Sequence, residues 1–159
     1  MSAQQIFATA PLGALVRYSD GQPKPPGRFT KKLAAWQRNN GCGRLVRKEP
    51  GRSRANGFTL PATITLHEGD FSSTGVILVV MHRTYSVLSD LQFAVTELPQ
   101  PGMVRVVQIF GDTTELLHLA ESQEAAELWL AKNPHHLARF ERVDEGLPPT
   151  PFATVALAA

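Results

Sequence analysis

A single cysteine, Cys42, in a chain of 159 residues excludes an internal disulfide, and paired CxxC metal chemistry with it. Long apolar runs are missing too. The longest, 76–81, is far shorter than the about 20 residues a membrane-crossing helix needs. The start of the chain has neither the early positive charge nor the apolar stretch of a signal peptide, so a soluble, cytoplasmic chain with no membrane partner is expected. There is no glycine-rich phosphate loop ending in Lys-Ser/Thr, no HExxH and no nucleophile elbow. No catalytic residue, metal site or cofactor is therefore expected, and a non-enzymatic function is anticipated.

The first third also lacks acid. Residues 1–56 hold eleven Lys/Arg against Asp20 and Glu49, a net charge of +9. Residues 57–159 hold five Lys/Arg against twelve acids, a net −7. The overall +2 hides a basic third joined to an acidic remainder. Charge sorted in this way points to a polyanionic partner or to two surfaces built to meet.

With 43% hydrophobic and 19% charged residues the chain reads as globular, a single domain over 1–145 followed by a flexible Pro/Ala-rich tail over 146–159. The stretch 14–19 is a short strand closed by Asp20-Gly21, and the prolines at 23, 25 and 26 exclude helix. Over 28–40 the period changes: Phe29, Leu33 and Trp36 share one apolar stripe, with Lys31, Lys32 and Arg38 off it. This predicts a basic helix whose stripe faces the core, stopped at Asn39-Asn40-Gly41. Residues 44–48 form a short basic strand.

Alternation over 58–67 predicts a half-buried strand, with Pro61 marking an edge or bulge. A loop over 67–74 follows, then an apolar and hence central strand at 76–81. Strands at 91–98, 103–110 and 114–120 precede a second helix over 122–133, capped by Ser122 and stopped by Pro134. A last strand spans 137–143, and 114–143 would be a parallel strand–helix–strand crossover. The fold class is α+β: a mainly antiparallel, curved sheet with one basic N-terminal helix and one C-terminal helix.

The candidate site is the basic patch. Lys31, Lys32, Arg38, Arg44, Arg47, Lys48, Arg52 and Arg54 would neutralise phosphates and release counterions, with Tyr18 as the stacking residue. The loop 49–56, with no apolar residue but Ala55, must be exposed. No base-reading element is evident, so the reading is a nucleic-acid-binding accessory protein of weak sequence specificity. Single-stranded DNA or RNA suits it as well as duplex. The alternative is an interaction or inhibitor module docking its basic surface on an acidic protein. A third reading, an enzyme on an anionic small molecule, requires a pocket lined by several arginines.

The histidines are expected to be incidental. With a turn at 67–74, His82 falls about 25 Å from His67, which leaves His67-Glu68-Gly69-Asp70 as an acidic turn. His118 could meet only one of His135 and His136, which point to opposite faces of a strand. Cys42 reads as a small residue in a tight turn. Acids from Glu115 to Glu145 gather around the second helix, where they could face the basic region of another copy.

Overall fold

A computed structural model describes residues 1–55 and 57–144; the tail expected at 146–159 lies outside the described residues. The chain begins with a helix that the periodicity analysis passes over, α1 (Ala3–Thr9), capped by Ser2 and Gln5 in a reciprocal capping box. Then come β1 (Leu15–Ser19), α2 (Thr30–Asn39), β2 (Gly41–Glu49), the two-residue strands β3 (Arg52–Ser53) and β4 (Thr59–Leu60), β5 (Thr63–Ser73) and β6 (Val76–Ser86). The remainder is β7 (Gln92–Glu97), β8 (Val104–Phe110), β9 (Thr113–Ala120), α3 (Gln123–Lys132) and β10 (Ala138–Arg142). The class is α+β, and every strand pairing among the described residues is antiparallel. No helix of the described residues is long and apolar enough to cross a membrane.

Strand β2 organises the sheet. It pairs with β1 through Gly41 to Arg44, with β5 through Arg44 to Glu49, and with β9 at Arg47 opposite Glu115. Around it the order β7-β1-β2-β5-β6 curls until Tyr85 of β6 and Phe93 of β7 sit 5.4 Å apart, ring centre to ring centre. Helix α1 packs on the inner face of this half-barrel. Ala3, Ile6 and Ala10 meet Val16, Leu45, Ile64, Leu66 and Phe93 there, all buried. The amide of Phe93 donates to the Met1 carbonyl (2.8 Å), so the chain start closes over β7.

The second half is the meander β9-β8-β10, roofed by α3. Val104, Val106, Ala120 and Ala126 form its core. Strands β9 and β10 run the same way, but β8 lies between them, so the expected parallel pair is replaced by two antiparallel ones. Only after a bulge at Val106/Val107 does Val107 turn to the other face, joining Val46 and Leu116.

Three expectations fail, one over the choice of turn and two because periodicity marks an apolar face without saying what covers it. Strand β5 does not end at His67. It continues through the expected loop to Ser73, and the turn falls at Thr74-Gly75, both with positive φ (51° and 81°), as a two-residue hairpin requires. Its partner β6 is an edge strand, not a central one, and Phe71, Ile77, Val79 and Val80 are all about half exposed or more. Helix α2 forms, but no residue of it is buried, and Leu33 and Trp36 are only half-buried. Pro61 separates β4 from β5, consistent with its missing donor.

The two apolar sites give a clean contrast. Leu45→Ala is expected to lower stability by about 2–5 kcal/mol, as a deletion in a closed core, whereas Leu33→Ala should cost less than about 1 kcal/mol. Urea denaturation of both variants checks this. A large loss at Leu33 would place α2 against the core.

Candidate functional site

Tyr18 does not face solvent. It is 2% exposed, tilted against Tyr85 at 5.1 Å, and its hydroxyl donates to the Glu68 carboxylate. Arg83 completes the cluster: it donates to the Tyr18 hydroxyl (3.3 Å) and pairs with Glu68 (3.4 Å). Burial, then the carboxylate beside it, raises the Tyr18 phenol well above its ordinary range. Gly41 must lack a side chain here, since a Cβ would lie 2.6 Å from the Tyr18 oxygen. Tyr18 is withdrawn as a stacking residue because the sheet curls over it.

The same cluster roots α2. Arg83 also donates to the Arg38 carbonyl, Trp36 Nε1 to the Gln22 carbonyl (2.8 Å), and the Asn40 amide to Asp20 (2.9 Å) and the Trp36 carbonyl (2.9 Å). The hydrogen bond from Asn40, followed by one from the Gln22 amide, holds the Asp20 carboxyl below its usual range. Polar contacts at its C-terminal end therefore hold the helix. Its N-terminal end carries Phe29, 42% exposed, with the Arg28 guanidinium 4.9 Å and the Lys32 ammonium 5.4 Å from the ring centre. Lys24, Arg28, Lys31, Lys32 and Arg38 are exposed, and no ion pair engages them among the described residues. Phe29, expected in the core, thus takes the exposed place expected of Tyr18.

The other sequence candidates divide. Arg52 and Arg54 are exposed on the β3–β4 hairpin, where the Arg54 amide donates to the Phe58 carbonyl (2.9 Å) and Gly57 turns the chain at φ 80°. The hairpin follows β2, whereas α2 precedes it, and the strand between them spans about 26 Å at about 3.3 Å per residue. The cations on β2 itself are engaged. Arg44 donates to the Gly13 carbonyl (2.6 Å), Arg47 lies 3.6 Å from Glu49, and Lys48 donates to the Phe7 carbonyl (2.8 Å) in the last turn of α1. The structure brings Lys31, Lys32 and Arg38 together on α2, sets Arg52 and Arg54 apart, and ties up Arg44, Arg47 and Lys48.

A cleft of about 480 Å3 lies between the outer face of β2, β5 and β6 on one side and β9 with α3 on the other. Val46, Val80, Leu116, Leu117 and Leu119 give it apolar walls, and Arg44, Asp70, Glu115 and Glu121 are the charged residues of its lining. His67 and His82 are register partners in it, their rings edge to face at 5.5 Å, and not 25 Å apart, because the hairpin turns later than Gly69-Asp70. His67 Nε2 is 2.7 Å from an Asp70 oxygen. Burial, then the His67 charge, holds the His82 imidazole below its ordinary range. On the other wall Trp129 lies parallel to His118 at 4.8 Å and to His135 at 6.1 Å, so one of the two adjacent histidines does join His118, through the indole. No three His, Cys, Asp or Glu side chains among the described residues are placed to hold a metal ion. With one arginine and three acids, the cleft is not the several-arginine pocket that an enzyme on an anionic small molecule requires. Cys42 is exposed on β2, paired with Arg17, rather than in a turn.

The model of a family described as Uncharacterised conserved protein UCP036055 matches residues 1–146. No curated protein and no solved structure matches the chain.

Burial pushes the Lys48 ammonium down to about 8 from its ordinary 10.5. Between those values the unfolded chain holds a proton that the folded one has released, so this group's contribution to stability rises as pH rises through the window. Lys48→Met should abolish that rise. Denaturant midpoints of the two proteins at either end of the window check it, with wild type gaining on the variant at the alkaline end.

Proposed function

The chain belongs to that family, and from its own surface we propose that it is a non-enzymatic nucleic-acid-binding accessory protein whose binding element is the α2 arm. The observation that carries this reading is the tip of α2: an exposed Phe29 ring between Arg28 and Lys32, on a helix with no fully buried residue. An aromatic face stacks on any base, and flanking cations neutralise the phosphates on either side. No side chain caps the N-terminus of α2, so the positive end of the helix dipole adds to the same potential. Stacking needs unpaired bases, which favours single-stranded DNA or RNA over duplex. Arg52 and Arg54 supply a second, separate phosphate contact. Arg44, Arg47 and Lys48 are left out of the binding set, since carbonyls and a carboxylate already engage them. An arm that reads charge and ring faces has little means of reading sequence, so weak sequence preference follows.

Fluorescence anisotropy with labelled single-stranded, duplex and RNA oligonucleotides over a salt series tests the assignment. Lys31→Ala with Lys32→Ala is expected to weaken binding and to flatten the slope of log K against log salt by about 1.4 for a single strand. Phe29→Ala should lose about 1–3 kcal/mol on single strands and much less on duplex. Absence of binding at low salt, or variants indistinguishable from wild type, would overturn it.

A further inference from the structure

The α2 arm and the cleft are complementary surfaces that the fold of one chain keeps apart. The arm, residues 20–40, carries five cations against Asp20, and of its stripe Phe29 is exposed while Leu33 and Trp36 are partly buried. The cleft has apolar walls, with Glu115, Glu121 and the His67-paired Asp70 beside them and Arg44 as its one arginine. A cationic amphipathic helix and an apolar groove with an acidic border are the two halves of a helix-in-groove contact. At 480 Å3 the cleft has room for side chains of the stripe, not for the helix backbone.

Intramolecular docking is opposed by how the arm is rooted. The Arg38 carbonyl is held by Arg83, which faces the Tyr18–Glu68 side of β6. The adjacent residue, His82, lies on the opposite face and lines the cleft. The sheet therefore stands between the arm root and the cleft of the same chain.

We propose that the cleft between β5–β6 and β9–α3 receives the α2 arm of a second copy of this chain. Apolar side chains of the arm fill the groove, while Lys31 and Lys32 meet Asp70 and Glu121 at its border. The contact leaves the arm unable to engage a polyanion at the same time, so self-association and nucleic-acid binding exclude one another. The inference uses the exposed arm and holds whether or not the arm also binds nucleic acid.

Sedimentation equilibrium of the nuclease-treated full chain at low and high ionic strength tests it. The weight-average mass should rise with concentration at low salt and fall toward the monomer at high salt, as contacts between surface charges are screened. Lys31→Glu with Lys32→Glu, and separately Asp70→Lys with Glu121→Lys, should each weaken association by about tenfold or more. Mixing the two charge-reversed proteins should restore a one-to-one complex. The acid-to-lysine variant should keep any nucleic-acid affinity of the arm, whereas the lysine-to-acid variant should lose it. A wild type that stays monomeric at low salt, association that disappears with nuclease, or mixed variants that fail to pair would each overturn the proposal.

Discussion

Strand β2 hydrogen-bonds to three other strands, and this sharing decides where the charge of the basic third can go. A strand paired on both edges has no freedom to turn its side chains: they alternate between the two faces of the sheet. Leu45 faces the α1 core and Arg44 and Val46 line the cleft; a register shift between Leu45 and Arg47 then lets Lys48 reach the Phe7 carbonyl on the α1 side. The cations of β2 thereby acquire carbonyl or carboxylate partners. The exposed cations lie before the strand, at Arg17 of β1 and on the arm that ends in α2, and after it, on the β3–β4 hairpin. The exposed cations of the basic third thus lie on either side of a strand whose own cations are held by carbonyls and a carboxylate.

The same constraint explains why α2 is a helix without a core. Ten residues are too few for a stable isolated helix, and this one buries no residue completely. Tethers from Trp36, Asn40 and Arg83 hold its C-terminal end instead. An amphipathic helix with no fully buried residue and an exposed aromatic at its tip is unusual in a folded chain, where burial normally supplies most of a helix's stability. That is the physical ground for the proposals that the arm meets a nucleic acid or another copy.

Much of the framework was legible. Strands β7 to β10 and α3 lie within a residue or two of their expected limits, because Pro and Gly turns separate them and Ser122 caps the helix. Helix α1 was legible in principle: Ser2 and Gln5 form a capping box visible in the sequence, but seven residues are too short for periodicity to register. The His67–His82 pair was misjudged over the choice of turn. Gly69-Asp70 resembles a turn as strongly as Thr74-Gly75 does, and only the strand pairing on both sides selects the later one.

Taken alone, the amino-acid order determined what depends on near neighbours: charge sorting, helix caps, strand alternation and the α+β class. Each of these is set by residues within a few positions of one another, so tertiary contacts rarely reverse it. The fold decided which apolar faces are covered, since covering requires a partner surface distant in the chain. That is why Tyr18, in a short strand, went inside a closing sheet while Phe29, on a clear helical stripe, stayed at the surface. It is also why histidines from β5, β6 and β9 line the two walls of one cleft, with His135 stacked on Trp129: long-range pairing, not spacing, put them there.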